Sequence, residues 1–258
     1  MGDFVLVSAL SLVAVAVLMA VTARVGFWLG RHNVVDVTWG VAFVVIAGVA
    51  GLAGSGSVSR RIVIFVLVGI WGCRLAWHLY VRTRGHGEDP RYEKLLAGSD
   101  SVWVPIRKIY VTQALVAWFI SLPIQVVAVS DGPLGWIAFA GIMLWIVGVT
   151  FEAVGDHQLR QFKARRSSRG KVMNEGLWAW TRHPNYFGDA CVWWGIYLIA
   201  ADVWPGALTV LSPVVMTYFL VFATGARLLE KHMQERPGFR EYQQTTSFFV
   251  PLPPKSRV

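Results

Sequence analysis

The chain has 258 residues, of which 55% are hydrophobic and 15% charged, and its mean hydropathy is +0.51. A soluble domain carries about a quarter charged residues, so this composition excludes one and selects a bundle of membrane spans. The net charge of +9 would suit nucleic acid in a soluble protein, but in a multispan chain it reports topology, and no nucleic-acid partner is expected.

Residues 4–23 contain no charge, about the 20 residues that cross a ~30 Å hydrocarbon core at ~1.5 Å each. Met1-Gly2-Asp3 precedes them without a basic residue, and the apolar run is too long for a secretory signal, so it reads as a retained first span. Six further apolar runs predict a single all-α membrane domain of seven helices, at about 4–26, 34–53, 61–81, 109–129, 134–154, 186–202 and 207–228. Pro123 and Pro213 fall inside spans, where neighbouring helices are expected to satisfy the freed carbonyls. Cys73 and Cys191 both lie in apolar runs, with neither a disulfide framework nor a metal-ligand spacing, so no metal is expected.

The basic residues orient the bundle. The connection after span three carries six Lys and Arg from Arg82 to Lys108. That after span five carries seven from Arg160 to Arg182, including Arg169, and the tail carries five from Lys231 to Arg257. The opposite connections hold none, apart from Arg60 and Arg61. The positive-inside rule then puts the N-terminus outside and the C-terminus in the cytoplasm, with seven spans. Loops 82–108 and 155–185 and the tail 229–258 share the cytoplasmic side, where the unusual polar residues also gather.

Span five exits through FEAVGDHQLRQFKARR, residues 151–166. Glu152, Asp156, Arg160 and Lys163 step by four, four and three, one stripe on a continuing helix that runs from acids near membrane depth to bases in water. It is either a solvated helix end or one wall of a polar cofactor site, with acids for ribose hydroxyls and bases for phosphates. Next, TRHPNYFGD opens span six. Pro184 suits a first helical turn, and Asn185 and Asp189 share the face that enters the membrane. A carboxylate there is costly, so Asp189 either pairs structurally or contacts a ligand. After span seven, Arg227, Glu230 and Lys231 share a face, and Tyr242 and residues 248–254 predict a tail folding back on the cytoplasmic side. Earlier in the chain, Asp36 opens span two and Arg74 sits in span three with His78 a turn later. Asp36 and Arg74 are candidates for a buried ion pair. The loop RGHGEDPRY, residues 84–92, is Gly/Pro-interrupted and suits ligand clamping.

The order of RGHGEDPRY, F-E-x-x-G-D-x-Q, TRHPNYFGD and ARLLEKHMQERPGFREYQQTTSFFVPLPP resembles the bacterial DUF1295 membrane proteins, in the steroid 5-alpha-reductase C-terminal family. That superfamily also holds sterol reductases and isoprenylcysteine carboxyl methyltransferases. The resemblance implies a seven-helix enzyme of the bacterial inner membrane, binding NADPH in a cytoplasm-facing cavity while a lipid-like enone enters from the bilayer; a monomer is expected. It maps Asp156, Arg160 and Lys163 onto the cofactor stretch after span five. Asn185, Tyr186 and Asp189 fall on the asparagine–aromatic–x–x–acid element, with Arg182 and His183 before it. Arg227 matches the arginine closing the last span, Glu230 and Tyr242 follow it, and Arg91 and Tyr92 match the basic, proline–tyrosine loop. The steroid enzymes polarise the enone carbonyl with a glutamate near span two and a tyrosine in span three. The corresponding region here holds Asp36, Trp71, Arg74 and His78. Trp71 departs from the pattern, because an indole is no practical acid, and His78, Tyr80 or Tyr92 are alternative donors. The rival readings are an S-adenosylmethionine-dependent lipid methyltransferase and a non-enzymatic lipid-binding protein.

Overall fold

A computed structural model describes residues 2–99, 101–168, 170–223 and 225–255. Arg169 and Arg257, which enter the orientation argument, lie outside these. Among the described residues the chain is helical, with a single isolated pairing of Thr181 with Ser247 and no strand.

Among the described residues five helices are long and apolar enough to cross a membrane, or six if one bent pair counts as a span. The first three are α1 (Gly2–Leu29), α2 (Val34–Ala53) and α3 (Val58–Thr83). The bent pair is α5 (Trp103–Ile120) and α6 (Leu122–Ala128), after the short α4 (Pro90–Leu96). Then come α7 (Trp136–Ala164) and the segment Gly206–Met233. The predicted sixth span lies in α8 (Pro184–Ala201). At 18 residues, opening on Pro184, Asn185 and Asp189, it is too polar to meet the same standard. The Gly206–Met233 segment holds α9 (Leu211–Tyr218), a π turn at Phe219–Ala223 and α10 (Ala226–Met233); α11 (Phe239–Thr245) lies in the tail.

The helices are turned outward as in an integral membrane protein. On α1, Val13, Val17 and Val21 are exposed every fourth residue, while Ser8, Ser11 and Thr22 are buried. Small polar groups inside and branched apolar ones outside is the arrangement lipid favours. The α5–α6 pair bends by 47° at Ser121. Pro123 has no N–H to continue the ladder. The Trp118 carbonyl accepts from Ser121 Oγ at 2.7 Å and from the buried Gln125 amide at 3.2 Å, so local side chains satisfy the break.

The chain divides into two compact units, Met1–Gly135 with Ala200–Thr209, and Trp136–Ile199 with Val210–Val258. In the first, Arg60 is buried and bonds Asp202 at 2.5 Å and the carbonyls of Gly132 and Pro133. Asp202 also accepts from Gly135 N–H at 2.9 Å. Arg61 donates to the Gly51 carbonyl at 3.0 Å. The two arginines that break the charge rule therefore serve architecture, and Arg60 is neutralised where it stands.

In the second unit α7 and α8 cross at glycines. A Cβ on Gly188 would lie 2.5 Å from the Gly148 carbonyl, and one on Gly195 2.6 Å from the Gly141 carbonyl. Gly40 and Gly72 let α2 and α3 approach in the same way in the first unit. Gly188→Ala should therefore cost about 1–3 kcal/mol of overpacking. Gly69→Ala on α3, with open space around it, should be neutral or stabilising by up to about 1 kcal/mol. Thermal unfolding in detergent reads both, and equal midpoints would contradict the packing described.

Candidate functional site

The first unit builds a polar cluster at the start of α2. Asp89 caps α4 by accepting the Arg91 N–H at 2.8 Å, and Pro90 fills the first helical position. That short helix presents Arg91 and Tyr92 to Asp36. The Tyr92 hydroxyl donates to Asp36 Oδ1 at 2.6 Å, and Arg91 Nη2 donates to Oδ2 at 2.9 Å. Arg91 also holds Asp89 with Nε at 3.0 Å and Nη2 at 2.9 Å. The loop is anchored to the α1–α2 connection. Glu88 accepts backbone N–H groups from His32, from Asn33 at 2.9 Å and from Asp89 at 2.9 Å. Asn33 donates to the Gly87 carbonyl at 2.8 Å and Arg31 to that of His86 at 2.9 Å.

Burial, with the Asp36 charge beside it, raises the Tyr92 phenol well above its ordinary range and keeps it protonated. Burial would raise the Asp89 carboxyl too, but its bonds from Arg91 outweigh that and hold it below the usual value. Burial lowers the His32 imidazole against the opposing Glu88 charge, and its Nδ1 meets the Tyr110 hydroxyl at 2.8 Å.

The cluster unites Asp36, Arg91 and Tyr92, to which the sequence assigns two different roles. Trp71 is buried and packs edge-on against Phe43, with ring centroids 5.6 Å apart. Arg74 and His78 are half-buried on α3. In the sequence Glu88 reads only as part of the loop. Its importance lies in which backbone groups it meets, and no residue spacing reports that.

In the second unit the stripe on α7 is graded along the length of the helix. Glu152 and Asp156 are buried, and Arg160 and Lys163 are exposed. The Asn185 amide donates to Asp156 Oδ1 at 3.3 Å, and Asp189 is buried one turn further into α8. Tyr186 stacks on His183, with centroids 5.7 Å apart and planes 12° from parallel.

Arg182, His183, Glu230 and Tyr242 form a clasp on the tail. Arg182 Nε donates to Glu230 Oε1 at 2.7 Å, and its Nη1 donates to the carbonyls of Gln243 and Thr246. His183 Nε2 and Gln243 Nε2 reach the same carboxylate at 3.1 and 2.9 Å. The Tyr242 hydroxyl, raised by burial, donates to the Trp178 carbonyl at 2.5 Å. The Thr181–Ser247 pairing and the Leu252 N–H to the Trp180 carbonyl complete the fold-back. These four side chains thus meet protein groups on most of their polar atoms.

Arg227 stands elsewhere in this unit. It is exposed, lies over the Phe222 ring at 4.5 Å, and with Phe222, Ala223, Leu228 and Lys231 lines a cavity of about 330 Å³. Two cations beside an aromatic wall suit an anionic group.

Residues 23–246 match the family described as "Protein of unknown function (DUF1295)". The chain belongs to the DUF1295 family. It is 28% identical over 112 residues to 3-oxo-5-alpha-steroid 4-dehydrogenase 1 of Mus musculus, covering 43% of this chain and 41% of that enzyme. It is 32% identical over 133 residues to the Delta(14)-sterol reductase of Saccharomyces cerevisiae, covering 48% of this chain and 28% of that enzyme. An uncharacterized protein of Schizosaccharomyces pombe is 25% identical over 88% of this chain and 74% of its own length. This DUF1295 chain thus spans less than half the length of those two named enzymes. No solved structure matches it.

Proposed function

We propose that this integral membrane protein is a reductase of conjugated, enone-type lipids that uses NADPH. The observation that carries the reading is the Asp36–Tyr92 pair, a half-buried acid holding a buried, neutral phenol at 2.6 Å. A phenol kept protonated by burial is a donor suited to an enolate oxygen. Similarity to two enzymes of steroid and sterol double-bond chemistry supports it.

The cavity at Arg227 and Lys231 suits the phosphates of such a dinucleotide. Arg227 and Lys231 would hold phosphate oxygens at their cavity, with Arg160 and Lys163 as further cations on α7. Asp156 and Asn185 suit ribose hydroxyls. When bound, the cofactor supplies a hydride. Tyr92 Oη–H turns from Asp36 to the substrate carbonyl oxygen as negative charge develops there. Asp36 and Arg91 hold the phenol in place. Hydride at the β-carbon leaves the enolate, and a proton taken up from water at the α-carbon completes the saturated ketone. The enzyme has seven spans, with α8 as the sixth, the N-terminus outside and the basic loops in the cytoplasm of a bacterial inner membrane. Neutralisation of Arg60 by Asp202 removes one of the two exceptions to that orientation.

The rival methyl donor, S-adenosylmethionine, carries no phosphate for the cations to meet. NADPH at 100 times its Kd should stabilise the detergent-purified protein by about 2.7 kcal/mol, and S-adenosylmethionine at matched concentration should not. Arg227→Ala should remove most of the NADPH shift. A shift with S-adenosylmethionine alone would overturn the assignment.

A further inference from the structure

We infer that Glu88 is a positioning residue that keeps Asp36 on Tyr92 by taking over the N-terminal cap of α2. The inference rests on the reading of Asp36 and Tyr92 as the reacting pair. Helix α2 begins at Val34, and its cap residue, Asn33, makes no capping bond with its own side chain. An acid at the third helical position commonly turns back to take the cap residue's N–H. In α2 that third residue is Asp36, so without another acceptor the Asn33 N–H competes with Tyr92 for its carboxylate. Glu88 takes this N–H instead, at 2.9 Å, together with the preceding one from His32. A carboxylate is also the group the positive end of a helix favours. The cap is therefore supplied from the loop, and Asp36 carries Tyr92 and Arg91. The same Glu88 carboxylate accepts the Asp89 N–H at 2.9 Å, immediately before the helix bearing Tyr92. One side chain thus sets both halves of the pair.

The test is a double-mutant cycle of Glu88→Gln and Tyr92→Phe in lipid nanodiscs, with NADPH and progesterone as probe enone. The amide of the first variant keeps the size of the side chain but offers one acceptor oxygen and no charge. Displacing a reacting group by about 1 Å costs on the order of 10²-fold. Glu88→Gln should therefore lower kcat by about that factor, leave the Kd for NADPH unchanged, and have no further effect once Tyr92 is phenylalanine. Additive losses, or a weakened NADPH Kd with kcat intact, would overturn the inference. A second arm needs no turnover. Hydrogen exchange in Glu88→Ala should rise about tenfold in both 32–36 and 88–92. Unchanged exchange in 32–36 would overturn the role of Glu88. If the parent protein reduces no enone, the reductase reading fails, while this arm still decides what Glu88 does.

Discussion

Tyr92→Phe lowers kcat for enone reduction by about 10²–10⁴-fold, the range that a positioned general acid supplies, and leaves NADPH binding intact. The substitution keeps the buried ring and deletes only the hydroxyl that meets Asp36 at 2.6 Å. Asp36 keeps its bond from Arg91 and is only half-buried, so the stability cost stays at or below about 1 kcal/mol, the net worth of one hydrogen bond. Asp36→Asn tests the other half of the pair. An amide still receives the phenol but no longer carries the charge opposite Arg91, and a fall in kcat with little change in NADPH Kd is expected. Stopped-flow and steady-state assays read both. If Tyr92→Phe retains kcat within about twofold, the phenol is not the donor.

Asp202→Ala costs about 3–5 kcal/mol, the largest stability loss expected from one side chain here, because it strands a buried guanidinium. Arg60 is 1% exposed, and Asp202 is both its partner and the acceptor for Gly135 N–H. Removing the carboxylate uncouples the start of α3 from the 131–135 and 201–206 connections. Arg60→Met combined with Asp202→Leu should recover much of the loss, since removing both charges leaves no unpaired ion. Chemical unfolding in detergent reads the difference. A single variant as stable as the parent would mean that water reaches Arg60 and the pair does not hold these connections together.

These expectations differ in how far the sequence foretells them. The α7 stripe is legible because a helical period alone decides which residues share a face. The steps from Glu152 to Lys163 put the four on one face, and along it the acids are buried in the protein and the bases exposed. The approach of Gly40 to Gly72 is legible for a similar reason, since small residues within apolar helices mark close contacts. The bend near Ser121 is less so. Pro123 announces a break, but the Ser121 and Gln125 bonds that satisfy it depend on side-chain direction.

Long-range partners are not legible. Asp36 has Arg74 as its nearest candidate on a neighbouring span, yet Arg91 and Tyr92 reach it from a loop more than fifty residues on. Asp202 lies in sequence in a connection on the same side as the anomalous Arg60, and nothing in the pattern pairs the two. Arg182, His183, Glu230 and Tyr242 have the residue types of a nucleotide site. Their bonds to the returning tail follow from a fold-back whose register no periodicity specifies. The clasp by itself accounts for the low exposure of Arg182.

The most direct measurement of the reductase assignment follows an atom. Purified protein in nanodiscs is given NADPH deuterated at the nicotinamide C4 position and a conjugated enone lipid, and the product is analysed by mass spectrometry. The account predicts one deuterium at the former β-carbon of a saturated ketone, with the transfer slowed by about 10²–10⁴-fold in Tyr92→Phe and reduced in Arg227→Ala. A product without deuterium, or a methyl group acquired from S-adenosylmethionine under the same conditions, would contradict it.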